Sequence, residues 1–130
     1  MNEEAHILVV DDEPDVRRTV GLLLSLDGYK VTEAGDGFTA LELAAKQHFD
    51  LVITDFLMPC MKGHEFAARI KASAPRKPVL MITAHLGEAV LDNKVVDAFL
   101  NKPFDLGDFR RTVARLIHTG KAKEENQAAA

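Results

Sequence analysis

The sequence predicts an α/β domain in which a parallel β-sheet carries helices on both of its faces. Short apolar runs alternate with segments of helical periodicity about five times along the chain. These runs are continuously apolar, which is typical of strands that are buried on both faces. Apolar residues make up 47% of the 130 residues, so one domain has enough material for a core, and right-handed crossovers are expected to join its strands.

Five segments are predicted to be strands. Residues 7–10, 51–54 and 79–83 are the clearest, because they are β-branched or apolar throughout. Residues 29–32 form a weaker candidate after the Asp27–Gly28 turn, and residues 98–101 are the fifth.

Helices are predicted between these strands. Pro14 suits a first helical turn, and Asp105 is a plausible N-cap for the last helix. The region 87–96 shows little periodicity. The apolar positions that are predicted to face the core are Val16, Val20, Leu23, Leu24, Phe38, Leu41, Ala45, Phe66, Ile70, Leu106, Phe109, Val113, Leu116 and Ile117.

The charge and cysteine content exclude several classes of protein. A net charge of −4 argues against a nucleic-acid-binding surface. Cys60 is the single cysteine, so an internal disulfide is impossible and a reducing compartment is expected. The apolar runs are too short to span a membrane. We therefore expect a cytoplasmic domain that contacts neither membrane nor nucleic acid directly.

Five polar residues follow the predicted strands: Asp11, Asp12, Asp55, Thr83 and Lys102. Each alone has an ordinary explanation, such as a helix start, a turn or a solvated lysine. Ligands of parallel sheets bind outside the carboxyl ends of the strands, however, and all five residues are expected at that edge. Carboxylates roughly 4 Å apart repel by about 4 kcal/mol at an effective dielectric of 20, so the cluster requires a cation or a proton.

Oxygen ligands with few protein contributors suit Mg²⁺, which also accepts phosphoryl oxygens. A carboxylate can attack phosphorus to form an aspartyl-phosphate. The metal, the lysine and the threonine would then stabilise the phosphoryl oxygens electrostatically.

Four motifs resemble the receiver domains of response regulators in two-component signalling, of the chemotaxis-regulator type. They are residues 7–14 (ILVVDDEP), residues 50–63 (DLVITDFLMPCMKG), Thr83–Ala84 and residues 102–104 (KPF), in the family's order across roughly residues 5–118. The resemblance implies a flavodoxin-like, doubly wound, five-stranded sheet of order 2-1-3-4-5. It also implies a phosphorylation-activated switch that is no enzyme apart from Mg-dependent self-phosphorylation and self-dephosphorylation.

The resemblance assigns the metal and phosphoryl chemistry to individual residues. Asp55 matches the phosphoacceptor, and Lys102 matches the lysine that pairs with the phosphoryl group. Asp12 matches a direct Mg²⁺ ligand, and Asp11 matches a ligand that acts through water. Leu57 matches the position whose backbone carbonyl completes the metal site.

The remaining assignments concern the switch. Thr83 matches the hydroxyl that moves toward the phosphoryl group, and Phe99 matches the aromatic residue that rotates inward with it. The Lys102–Pro103 bond is implied to be cis. Leu57 and His85 neighbour the site and are expected to influence the lifetime of the phosphoryl group, since Leu57 offers an attacking water no hydrogen bond.

The implied partners are a sensor histidine kinase or phosphotransfer protein and an unidentified downstream target. The family's readout surface, made by the fourth helix, fifth strand and fifth helix, also allows a dimer. Thr83 and Lys102 are separated by 19 positions, about one helical turn fewer than in the family. A shortened or irregular fourth helix is therefore predicted.

Alternatives remain beside this interpretation. A haloacid-dehalogenase-type phosphatase is disfavoured, because Leu57 stands where that class carries a second aspartate. A pseudo-receiver that is never phosphorylated would normally lack one of the site residues. The chain can also be the receiver fragment of a larger regulator, with residues 1–119 as the receiver domain and residues 120–130 as a tail or the start of a linker.

Overall fold

A computed structural model describes residues 4–92 and 95–129 of the chain, and the side chains of residues 4–90 and 95–120. Strands and helices alternate throughout. The elements are β1 (His6–Val10), α1 (Pro14–Leu26), β2 (Lys30–Ala34), α2 (Gly37–Lys46), β3 (Leu51–Thr54), α3 (Gly63–Ser73), β4 (Val79–Thr83), α4 (Leu86–Asp92), β5 (Ala98–Asn101) and α5 (Leu106–Ala129). All strand pairs are parallel, in the order β2-β1-β3-β4-β5. The predicted fold class is confirmed.

The sheet separates two hydrophobic cores, because successive strand residues point to opposite faces. Ile7 and Val9 of β1 belong to the core that is covered by α1 and α5, and Leu8 and Val10 belong to the core that is covered by α2 and α3. The helices contribute fully buried side chains such as Phe66 to these cores. In the described residues, no helix has the length and apolar composition needed to cross a bilayer.

The ends of the helices agree with the predicted signals. Pro14 lies in the first turn of α1. Asp105 precedes α5, and its carboxylate accepts a hydrogen bond from the backbone N–H of Asp108 at 2.9 Å, so it is the predicted N-cap. Among the described residues, helix α4 covers the seven residues Leu86–Asp92, and the chain is no longer helical at residue 95, which confirms the predicted short fourth helix. The backbone of α5 stays helical as far as Ala129, within the segment that is predicted to be a tail or the start of a linker.

The predicted core face of α2 is wrong at Phe38 and Ala45, whereas Leu41 packs against the core as predicted. Phe38 is 50% exposed and Ala45 is also exposed, whereas Gly37 and Ala40 are buried. A Cβ atom at position 37 would lie 2.8 Å from Sδ of Met61. The helix therefore approaches its neighbours through its smallest residues, and the larger Phe38 is left at the surface.

Candidate functional site

Three carboxylates meet at the carboxyl edge of the sheet. Asp11 and Asp12 follow β1 and Asp55 follows β3, and one oxygen from each lies within 4.8 Å of the others. Asp11 and Asp55 are buried, whereas Asp12 is exposed. Adjacent parallel strands β1 and β3 place the residues that follow them side by side.

Lys102 joins two of these carboxylates. It follows β5, and its Nζ donates to Oδ2 of Asp11 and to Oδ2 of Asp55, each at 3.1 Å. Its backbone N–H donates to the carbonyl of Thr83 at 2.9 Å, which ties the lysine to the end of β4. The Lys102–Pro103 peptide bond is cis, the isomer that the resemblance implies.

Asp55 is fixed by both its backbone and its side chain. Its N–H donates to the carbonyl of Val10 at 3.2 Å, and its Oδ1 accepts from the N–H of Phe56 at 2.7 Å. Burial raises the pKa of the Asp55 carboxyl, and the nearby Lys102 ammonium and the Phe56 N–H offset only part of this effect. Its protonated form is consequently favoured more than at the protein surface.

The charges of the site are unbalanced. One ammonium, that of Lys102, faces three carboxylates, so two negative charges remain when all three are ionised. Burial lowers the pKa of Lys102, but hydrogen bonding and attraction from Asp11 and Asp55 outweigh it and raise that pKa overall. The lysine therefore stays protonated at neutral pH, and the hard oxygen donors of the three carboxylates fit one divalent ion such as Mg²⁺.

The other predicted site residues lie on β4, on β5 and just after β3 and β4. Thr83 is fully buried, and its Oγ1 accepts from the N–H of His85 at 2.9 Å. Phe99 is half-buried and packs against the cluster of Phe56, Met81 and Ala89. The side chains of Leu57 and His85 are exposed. The threonine thus lies at the same edge, while Phe99 lies on the neighbouring strand β5, paired with β4.

Comparison with known proteins decides the family. Residues 7–114 match the family described as the response regulator receiver domain. The chain belongs to this family. The receiver domain is 37% identical over 107 residues to the transcriptional regulatory protein GlrR of Escherichia coli K12, covering 80% of this chain and 24% of GlrR. It is 31% identical over 129 residues to the autoinducer 1 sensor kinase/phosphatase LuxN of Vibrio campbellii, covering 98% of this chain and 15% of LuxN.

Solved structures agree with this assignment. The chemotaxis response regulator CheY4 of Vibrio cholerae is 34% identical with a TM-score of 0.81, over 88% of this chain and 99% of CheY4. The response regulator TrrA of Thermotoga maritima, in complex with Mg(2+)-BeF, is 31% identical with a TM-score of 0.81, over 86% of this chain and 98% of TrrA. The receiver domain spans less than a quarter of GlrR and LuxN.

Sequence reasoning missed two residues that shape the site. A Cβ atom at Gly63 would lie 2.0 Å from the carbonyl oxygen of Asp55 and 2.9 Å from Cα of Phe56, so only glycine fits there. Arg17 donates from Nη1 to the carbonyl of Asp11 at 2.8 Å. Gly63 lies within a motif that the sequence displays, but nothing in the sequence indicates the distant contact of Arg17.

Proposed function

We propose that this receiver domain is a phosphorylation-activated signalling switch that accepts a phosphoryl group on Asp55 in a Mg²⁺-dependent reaction. The phosphodonor is a sensor histidine kinase or a phosphotransfer protein. One observation carries the proposal: the Lys102 ammonium lies 3.1 Å from both Asp11 and Asp55 within a cluster of three carboxylates. Such a cluster combines a nucleophile, a cation-binding pocket and a fixed positive charge.

The donor set supports a role for each carboxylate toward Mg²⁺. Asp12 and Asp55 are the direct ligands, Leu57 adds its backbone carbonyl, and Asp11 acts through water. The Asp11 carboxylate is held in place, since its Oδ1 accepts from the N–H of Glu13 at 3.0 Å and its Oδ2 accepts from Lys102. Mg²⁺ held by these residues would supply positive charge to offset the carboxylates and the incoming phosphoryl oxygens.

The chain's own residues then position the transfer. An oxygen of Asp55 forms a bond to phosphorus as the bond from phosphorus to the donor's histidine nitrogen breaks. Phe56 holds the carboxylate through its backbone N–H. The Lys102 ammonium already contacts Asp55, so it donates to the phosphoryl oxygens without a large movement, and the hydroxyl of Thr83 keeps its own hydrogen for another donation.

The response to phosphorylation involves Thr83 and Phe99. We infer that the threonine moves toward the phosphoryl group and that Phe99 rotates inward, which alters the surface made by α4, β5 and α5. That surface binds the unidentified downstream target and allows a dimer. A few kcal/mol of differential contact is sufficient for such a population shift.

The lifetime of the phosphoryl group depends on Leu57 and His85 in this proposal. Leu57 is 39% exposed and lies two residues after Asp55, and its apolar side chain cannot orient an attacking water. We expect slow self-dephosphorylation, and no enzymatic activity beyond self-phosphorylation and self-dephosphorylation. An unchanged hydrolysis rate in Leu57→Asn would contradict this part of the proposal.

We assign residues 1–119 to the receiver domain and residues 120–130 to a tail or the start of a linker. The domain acts in the cytoplasm, without contacting a membrane or nucleic acid directly. The matched region covers only 15% of LuxN and 24% of GlrR. This favours a second possibility, in which the domain is the receiver fragment of a larger regulator and the output domain belongs to another part of that regulator.

The test is the intact mass of the 130-residue chain after incubation with acetyl phosphate and Mg²⁺. We expect the mass of one phosphoryl group to be added to the wild type and to be absent from Asp55→Asn and from samples with EDTA. Asp50→Asn, at the opposite edge of the sheet, is the matched control and should be modified normally. A wild type that gains no mass would instead identify a pseudo-receiver that acts only by binding.

A further inference from the structure

Arg17 connects the ends of β1 and β2 beside the carboxylate cluster. Its side chain is 21% exposed, and its Nε forms a salt bridge with Oε1 of Glu33 at 3.1 Å. Its Nη1 donates to the backbone carbonyl of Asp11 at 2.8 Å. The planar guanidinium holds both partners at once, which a flexible ammonium cannot do with the same geometry.

The carbonyl that Arg17 holds belongs to the peptide that joins Asp11 to Asp12. Because this peptide is planar, fixing its oxygen also fixes the N–H and Cα of Asp12. The other polar atoms of Asp11 are already held, since its N–H donates to Ala34 and its carboxylate accepts from Glu13 and Lys102. In the described part of the chain, no hydrogen bond reaches the Asp12 carboxylate, so only the position of its backbone limits where the carboxylate can reach.

We propose that Arg17 is a positioning residue that holds the Asp11–Asp12 peptide so that the Asp12 carboxylate points into the metal pocket. This inference rests on the proposed function, because it needs Mg²⁺ to bind at the three carboxylates. Glu33 has a second role in the arrangement. Its charge neutralises Arg17, so the guanidinium orients the peptide without adding a net positive charge that would compete with the ion.

Removing the Arg17 side chain changes Mg²⁺ affinity in opposite directions, depending on whether Arg17 positions Asp12 or acts only through its charge. If Arg17 acted mainly as a charge near the pocket, its removal would strengthen Mg²⁺ binding, because a cation repels the ion. If it positions Asp12, its removal must weaken binding. Loss of residues that orient metal ligands typically weakens binding by about 10- to 100-fold, and we expect the lower end of this range for a contact made through the backbone.

The experiment is calorimetric titration of the unphosphorylated 130-residue chain with MgCl₂, for the wild type, Arg17→Met, Arg17→Lys and Arg18→Met. Arg18 is the matched control, because it is exposed on the same helix and lacks the contact to Asp11. We expect about 10-fold weaker binding for Arg17→Met, partial rescue for Arg17→Lys, and unchanged or slightly tighter binding for Arg18→Met. Thermal unfolding in EDTA checks that each variant is folded. If Arg17→Met is unfolded, Arg17→Lys is compared with the wild type in its place.

Each outcome has a distinct meaning. Wild-type protein that does not bind Mg²⁺ overturns the proposed function. Wild-type protein that binds Mg²⁺, beside Arg17 variants that are folded and bind it equally well or better, overturns the role of Arg17 and leaves the proposed function intact. Equal weakening in Arg17→Met and Arg18→Met also overturns it, because the weakening would then not depend on the contact between Arg17 and the Asp11 carbonyl.

Discussion

Carboxylates at the amino edge of the sheet accept hydrogen bonds from N–H groups at the starts of strands, whereas three carboxylates at the carboxyl edge are crowded against one another. Asp50 accepts from the N–H of His6 at 2.8 Å, and Asp97 accepts from the N–H of Val79 at 2.8 Å and from Lys71 at 2.6 Å. At the opposite edge, three carboxylates share one ammonium.

The difference shows that aspartate residues stabilise the fold at the amino edge of the sheet, whereas at the carboxyl edge they form a site that can support chemistry. At the amino edge each carboxylate satisfies a donor at the start of a strand, which lowers the free energy of the fold. At the carboxyl edge three carboxylates share one ammonium, so a further cation is required to balance their charge. Four predictions test this contrast.

The largest effect is expected from an added methyl group at the carboxyl edge. Gly63→Ala places a Cβ atom 2.0 Å from the Asp55 carbonyl, so the loop that carries the phosphoacceptor must shift, and we expect a loss of more than about 3 kcal/mol of stability. Gly120→Ala at the amino edge meets Pro78 at 3.2 Å. Its helix propensity offsets that contact, so a change within about 1 kcal/mol is expected. Urea unfolding measures both, and similar losses would contradict the contrast.

The second prediction removes a carboxylate at the amino edge. Asp97→Ala leaves the N–H of buried Val79 without its side-chain acceptor and breaks the ion pair with Lys71. We expect a loss of about 2 kcal/mol, with unchanged Mg²⁺ affinity. Asp97→Asn keeps an acceptor oxygen and should lose less. A decrease in Mg²⁺ affinity on either substitution would show that the two edges are not independent.

The third prediction has the opposite sign. Asp55→Asn removes a desolvated charge from the crowded cluster, so in EDTA at neutral pH we expect the variant to be more stable by roughly 1 kcal/mol, or about 4 °C in Tm. A raised carboxyl pKa contributes stability below the ordinary value of 3.8 that is lost as pH rises through the folded value. The advantage of Asp55→Asn should therefore shrink as pH falls. A less stable variant at neutral pH would refute this account.

The smallest effect is expected in the pH dependence of the free energy of unfolding, through His6 at the amino edge of the sheet. Burial, together with the nearby Lys30, lowers the pKa of His6, whose ring packs on Phe49 with centroids 4.5 Å apart. A lowered histidine pKa contributes stability above the ordinary value of 6.5 that is lost as pH falls through the folded value. Urea unfolding between pH 7.5 and 5.5 should show this loss in the wild type and not in His6→Gln. Equal losses in both proteins would assign it to other groups.

Hydrophobic pattern was sufficient for the sheet but not for every packing detail. Strands β3, β4 and β5 were predicted with their observed bounds, because their sequences are apolar or end at clear polar residues. Strand β2 was predicted at residues 29–32 and spans Lys30–Ala34; it includes the charged Glu33, whose place in a strand depends on pairing with β1. On α2, the close approach of Gly37 to Met61 decides which face of the helix is buried, and the large apolar side chain of Phe38 is left exposed.

The sequence by itself determined the order of strands and helices, the acidic and basic residues at the strand ends, and the family. Only the tertiary structure decided that Lys102 contacts both Asp11 and Asp55, that Gly63 lies against the Asp55 carbonyl, and that Arg17 holds the Asp11–Asp12 peptide. The physical reason is the range of the interactions. Periodicity and capping act within a few residues of the chain, whereas these contacts join groups whose distance and direction are fixed only when the whole sheet and its helices pack.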